Sequence, residues 1–370
     1  MKSFSDILPK LESMPLVVTW TLQSIAEKRG CQELYTRQSP DKLRRLREYA
    51  MIESAVASNR IEGVEIDQDR VGTIVFGNGI MKDRDEEEVR GYRRALELIH
   101  TSSGDLPLSV ETICRLHALT RPSIWDSGKI REKECDIIQT YPDGTSRVRF
   151  RAVAPSKIRE YLKRAIEGYE SILRDARIPA LVALAAFNLD FLCIHPFRDG
   201  NGRVSRLLLL FMLYRLGYEA GRYVSMERLI ELSKDRYYET LEKSSASWHA
   251  GKHDIWPYVE YLLFTIDELY QGFQQRFLQL ATRRGEKSTS VIEVLNAQEG
   301  EFTVRQIEFA CPGVSRETIK AVLKKHAEII MIFSDRRSWR TALTVLGYEA
   351  RNVRLPFHYS TLHMRGTDLV

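Results

Sequence analysis

Cysteine is scarce and scattered in this chain of 370 residues: Cys31, Cys114, Cys135, Cys193 and Cys311 contain no C-x-x-C pair. That spacing suggests neither a disulfide framework nor a zinc knuckle, and a reducing cytoplasm is the expected setting. The first ten residues, Met1-Lys-Ser-Phe-Ser-Asp-Ile-Leu-Pro-Lys10, lack the uninterrupted apolar region that a signal peptide needs. Long hydrophobic runs are missing as well. The longest, residues 207–214, is too short to cross a bilayer, so no membrane partner is expected. No internal repeat or low-complexity segment is present. The absence of G-x-x-x-x-G-K-[ST] argues against a P-loop NTPase, and the absence of H-E-x-x-H against a zinc hydrolase. Charge is nearly balanced, 55 Lys and Arg against 50 Asp and Glu, a net +5 that admits nucleotide or nucleic-acid partners without requiring them.

What is present is helical periodicity. With 44% hydrophobic residues the chain can bury a substantial core, and its length suggests two or three domains. Helical patterns run over residues 41–61, 85–100, 109–121 and 157–175. An apolar pair at 179–194 and 203–216 flanks a short loop, and further helices follow at 229–248 and 255–281. The clearest strand signal is Cys135-Asp-Ile-Ile-Gln-Thr-Tyr141, then Pro142-Asp-Gly-Thr145, then Ser146-Arg-Val-Arg-Phe150, a β-hairpin around a turn-forming P-D-G. A polar break at 283–288 marks a boundary near residue 285. Beyond it, helices at 290–297, 303–309 and 315–326, with Cys311-Pro-Gly-Val314 as a turn, precede extended runs at 329–333 and 338–345. That is the winged-helix order. Its Arg316, Lys320, Lys324 and Lys325, with Arg336, Arg337 and Arg340 at the wing, suit DNA phosphates; Glu293, Glu299, Glu301, Glu308, Glu317 and Glu328 offset them, so a packing or protein-docking role stands equally open.

The loop between the apolar pair, His195-Pro-Phe-Arg-Asp-Gly-Asn-Gly-Arg-Val-Ser-Arg206, combines a titratable base, a carboxylate, two glycines around an amide and two arginines. It precedes a helix N-terminus, where free N–H groups and the dipole favour anions. An imidazole suits a general base at neutral pH, and His195 is that candidate. Asp199 alone suffices for Mg²⁺, which binds through one or two carboxylates alongside substrate phosphates. Gly200 and Gly202 let successive N–H groups converge into an anion nest, with the Asn201 amide as a further donor. Arg203 and Arg206, three apart on the first helical turn, are expected to clamp the β- and γ-phosphates bidentately. Pro196 and Phe197 read as structural.

Position by position, His195 to Arg206 resembles the H-P-F-x-D-G-N-G-R-x-x-R signature of Fic-domain (Fic/DOC) proteins, nine specified residues at fixed spacing. The resemblance extends more loosely over residues 40–245. It implies a mostly α fold, a Fic-type helical bundle with a β-hairpin flap, and a transfer of AMP from ATP, with Mg²⁺, to a protein Ser, Thr or Tyr hydroxyl, on a target or on itself. Transfer of UMP, GMP or phosphocholine, removal of AMP with Glu62 positioning water, and a DNA-binding regulator with the core as nucleotide sensor remain alternatives. Ser58-Asn-Arg-Ile-Glu-Gly63 is similar to the family's inhibitory motif, [ST]-x-x-x-E-[GN]. On that resemblance Glu62 pairs with Arg206 and takes the place of the γ-phosphate, Ser58, four residues earlier, steadies the carboxylate, and Gly63 closes the helix. The hairpin, between Gly128-Lys-Ile-Arg131 and Phe150-Arg-Ala-Val-Ala-Pro155, resembles the flap that aligns a target as an added strand, with Ile137, Ile138 and Thr140 toward it. The organisation expected is an N-terminal region with inhibitory helix (1–100), a catalytic core (101–245), a helical linker (246–285), a winged-helix-like domain (286–350), through which DNA would be contacted, and a tail (351–370). A homodimer is compatible with all of this.

Overall fold

The structure is a computed structural model and describes residues 3, 14–38, 40–67, 70–76, 81–140, 145–281, 286–297, 302–311, 314–325, 330–335 and 338–343. The hairpin turn at 141–144, the wing-tip Arg336 and Arg337, the Pro312-Gly313 turn and the tail lie outside the described residues. The chain divides into two compact units, Met1–Gln275 and Arg276–Val370.

The first unit is mostly helical. It begins with α1 (Leu16–Gly30), α2 (Gln32–Gln38), α3 (Pro40–Ile61) and α4 (Val71–Phe76), followed by α5 (Arg84–Ser102) and α6 (Val110–Thr120). The starts of α5 and α6 are set by capping: Asp83 Oδ1 accepts the Glu86 N–H at 2.9 Å and Ser109 Oγ the Thr112 N–H at 3.1 Å. The hairpin is β1 (Asp136–Thr140) and β2 (Ser146–Arg151), antiparallel, with its register irregular between Ile137 and Ile138. Next come α7 (Ile158–Asp175), α8 (Ala180–Ile194), α9 (Asn201–Arg215), α10 (Met226–Leu232), α11 (Lys234–Ser245) and α12 (Trp256–Ala281), which runs past the boundary after Gln275. The continuous helix expected over 229–248 is instead broken at Ser233, whose hydroxyl bonds back to the Leu229 carbonyl at 2.8 Å.

Helices α8 and α9 are buried nearly all round, as their uniform apolarity dictates, and form the centre of the bundle. One polar rivet fixes their register. Asn188 exchanges hydrogen bonds with the Ser205 hydroxyl (3.1 Å) and carbonyl (3.0 Å), and Tyr258 of α12 donates to the same amide oxygen at 2.7 Å. Helix α3 packs on α5 and α10. The second unit contains α13 (Glu286–Ala297), β3 (Phe302–Thr303), α14 (Val304–Ala310), α15 (Arg316–Lys325), β4 (Ile330–Asp335) and β5 (Ser338–Leu343), with sheet order β3-β5-β4. It has its own core, in which Val291, Leu295, Ile307, Ile319 and Leu323 are buried.

Candidate active site

The loop linking α8 to α9 is shaped by two left-handed residues. His195, at φ +51°, ends α8, and Gly200, at φ +81°, caps α9. A non-glycine residue in that region is uncommon and places the imidazole out of line with the helix. The Leu192 carbonyl can only accept, so its 3.2 Å contact with His195 Nδ1 puts the proton there and leaves the Nε2 lone pair available. Burial pushes the His195 pKa down to about 4, while the carboxylates of Glu62 and Asp199 are near enough to oppose the shift. The ring is therefore neutral at pH 7, as a proton acceptor must be.

Glu62, at the end of α3, reaches the same place. Its Oε1 is 2.7 Å from Arg206 Nη2. It also lies over the first turn of α9, where a Cβ at Gly202 would collide with that oxygen and come within 3.2 Å of Arg206 Nη1. Gly63, at φ +83°, ends α3 as a left-handed glycine should. Arg206 is 1% exposed. Burial acts to lower its pKa, but Glu62 and the surrounding hydroxyls more than offset this and hold it raised. Its Nη1 has no partner, and neither has Arg203 Nε, so buried donors remain for an anion.

Three of the expected residues make contacts beyond the roles foreseen for them. Ser58 does not steady the Glu62 carboxylate: its hydroxyl accepts from Arg206 Nε and its carbonyl from Arg206 Nη2, both at 2.9 Å. The Asn201 amide accepts from the Phe197 N–H at 2.9 Å and donates to the Phe197 carbonyl at 2.7 Å. It staples the loop. Arg203, 2% exposed, is paired with Glu88 of α5 at 2.9 Å, as Arg206 is with Glu62, so each arginine already has a carboxylate partner. Asp199 keeps a half-exposed carboxylate, whose Oδ1 accepts the Gly200 N–H at 2.6 Å.

Other residues that build the site come from distant sequence. Arg121, at the end of α6, bonds both Glu88 and Asp199. Arg131 donates from Nε to the His195 carbonyl (2.8 Å) and from its N–H to the Pro196 carbonyl (2.9 Å), and also caps Lys133 and Val153, tying the catalytic loop to the roots of the hairpin. His117 stacks on Phe197, which is fully buried as expected. The hairpin leans on α11 and the turn after it. Arg149 Nη2 donates to the Tyr238 carbonyl at 3.1 Å, and Phe150 stacks on His249 at 5.2 Å. Ile138 is left 60% exposed on β1. No cluster of three or more His, Cys, Asp or Glu side chains suited to a metal occurs among the described residues.

The profile of the Fic/DOC family matches residues 107–213. That stretch, which contains the loop from His195 to Arg206, is similar to a Fic domain. It is 26% identical over 244 residues to the protein adenylyltransferase fic-1 of Caenorhabditis elegans, covering 64% of this chain and 41% of that one. With the protein adenylyltransferase Fic of Drosophila willistoni it shares 27% over 181 residues, 48% of this chain and 32% of the relative. The chain thus spans about two-fifths or less of the curated relatives it matches. Among solved structures, a Fic family protein from Desulfovibrio desulfuricans superposes with a TM-score of 0.57 at 20% identity, covering 90% of this chain and 98% of that one. Fic-1 from C. elegans gives 0.55 at 21%, covering 73% and 76%. These likenesses establish the fold.

Proposed function

We propose that this protein is an autoinhibited protein adenylyltransferase, moving AMP from ATP to a Ser, Thr or Tyr hydroxyl of a target protein or of itself. The observation that carries the reading is the pair Glu62–Arg206, set over the N-terminal turn of α9 and beside a neutral His195. The free Nε2 of His195 takes the hydroxyl proton as the oxygen attacks the α-phosphorus. The first-turn N–H groups of α9 and the spare donors of Arg206 and Arg203 hold phosphate oxygens, and pyrophosphate leaves. The names of the curated relatives support the same transfer.

Mg²⁺ fits Asp199: a single accessible carboxylate is the donor set expected of an ion that shares its shell with phosphates and water. When bound it would neutralise the charge of the phosphates. Glu62 acts as the brake, since its carboxylate engages the guanidinium that a γ-phosphate needs. Free thiols at all five cysteines favour a reducing compartment, the cytoplasm. The second unit reads as a winged-helix module, and gel mobility of duplex DNA at several salt concentrations separates DNA contact from protein docking.

Intact-mass analysis after incubation with ATP and Mg²⁺ in cell extract tests the proposal. Glu62→Gly should gain, or transfer to extract proteins, the mass of AMP far faster than the unmutated chain, and Glu62→Gly with His195→Ala should lose about 100-fold or more of that rate. Equal incorporation with and without Glu62 would refute the brake.

A further inference from the structure

His117 takes no part in the transfer described above, yet it is 1% exposed and both its ring nitrogens are engaged. The Gly128 N–H can only donate, so its 2.9 Å bond to Nδ1 leaves that nitrogen bare and places the proton on Nε2. Nε2 then donates to the main-chain carbonyl of Asp199 at 3.0 Å. The ring lies flat on Phe197, with centroids 3.9 Å apart and planes 7° from parallel. With no nitrogen to spare, His117 is neither a base nor a metal ligand.

One turn along α6, Arg121 reaches the same loop residue. Its Nη2 bonds Asp199 Oδ2, while Nη1 is balanced by Glu88. Positions four apart share a helix face, so the carbonyl and the carboxylate of Asp199 are gripped from two points on one rigid element. Gly200 is pressed against this face. A Cβ there would stand 3.1 Å from Arg121 Cγ and 3.4 Å from His117 Cδ2. The third party to the contact, Gly128, begins the segment that leads into the hairpin.

We propose that His117 is a positioning residue: its two hydrogen bonds lock the main chain at Asp199 to the root of the flap, and so, together with Arg121, aim the carboxylate that holds the divalent cation. This rests on reading Asp199 as the cation's ligand. A purely packed ring would tolerate an apolar side chain of similar bulk without change in cation affinity. A positioning ring would not, because partners that orient a ligand are worth about 10–100-fold in metal affinity or activity.

The test is Mn²⁺ binding to the full-length protein with ADP, which lacks the γ-phosphate that Glu62 opposes, followed by loss of the free-Mn²⁺ electron paramagnetic resonance signal. His117→Leu should weaken Mn²⁺ binding about tenfold or more. His117→Gln, which can accept from Gly128 through Oε1 and donate to Asp199 through Nε2, should restore most of it. On the Glu62→Gly background the same order should appear in kcat, with ADP affinity in the absence of metal unchanged. Parent-like Mn²⁺ binding by His117→Leu, or equal loss in Leu and Gln variants, overturns the proposal. If the Leu variant does not fold, His117→Asn, too short to span both partners, must bind Mn²⁺ more weakly than His117→Gln, and equality overturns it. A parent that binds no Mn²⁺ removes Asp199 as the ligand and the proposal with it. Failure of Glu62→Gly to transfer AMP leaves the Mn²⁺ comparison intact, so the two readings fail separately.

Discussion

Ser58 and Glu62 sit one turn apart on α3, and Arg206 uses both: the carboxylate for one nitrogen, the serine hydroxyl and carbonyl for two more bonds. Because Ser58 is fully buried, Ser58→Ala strands the Arg206 Nε–H without an acceptor, and the expected cost is about 1–3 kcal/mol, read as a lower urea midpoint. Glu62→Gly removes the partly exposed countercharge of a buried guanidinium, so that variant should also be less stable than the unmutated chain. ATP should recover that loss: at 100-fold above its Kd, about 2.7 kcal/mol, a larger thermal shift than in the unmutated chain. His195 adds a pH prediction. With its pKa lowered to about 4 by burial, the neutral base persists well below its ordinary range, so kcat/KM of Glu62→Gly should stay flat from pH 8 to about 5. Removing Glu62, whose charge favours the imidazolium, moves the acid limb lower still. An acid limb centred near the ordinary value of about 6.5 would mean that burial does not govern this ring.

At the scale of elements, the flap is held by contacts of unequal worth. Arg147 and Glu242 form an ion pair between half-exposed side chains, and such pairs contribute about 0–1 kcal/mol. Phe150 stacks on His249 and meets Trp248 edge-on at 6.2 Å, and the Arg149–Tyr238 bond lies between them in the chain. Phe150→Ala should therefore speed amide exchange over β2 far more than Glu242→Ala, and slow transfer to protein without weakening ATP binding. Comparable exchange in the two variants would assign the docking to the ion pair. Much of this architecture was legible in the chain: α3, α5, α6 and α7 begin within a residue or so of where periodicity and caps place them, and the contiguous loop from His195 to Arg206 declares its own chemistry. Arg121, Arg131 and Glu88 were not legible, because they lie more than 60 residues upstream and several of their partners are main-chain carbonyls, which no spacing encodes. The further contacts of Asn201 and Arg203 were not legible for a related reason: nothing in the signature shows that the amide also bonds the Phe197 backbone or that the guanidinium also pairs with Glu88.

For the whole molecule, the division into two units has an energetic meaning that can be measured. Every side chain assigned to the site, from Ser58 to Arg206, lies in the first unit, and the second buries a separate cluster around Ile319, Val322 and Leu323 of α15. Nine buried residues form it among the described ones, and small domains bury a lower fraction of their surface and are only marginally stable. Ile319 is fully buried in it, so Ile319→Ala should cost that unit about 2–5 kcal/mol. For a domain of this size each kcal/mol lowers the melting midpoint by about 4–8 °C. Calorimetry of the full chain should accordingly show a transition that drops steeply in Ile319→Ala, and a second that keeps its midpoint and still moves with ATP in the Glu62→Gly background. If the unmutated chain melts in one transition that Ile319→Ala shifts as a whole, the cores are coupled, and the α15 core then contributes to the stability of the helices that carry His195 and Arg206.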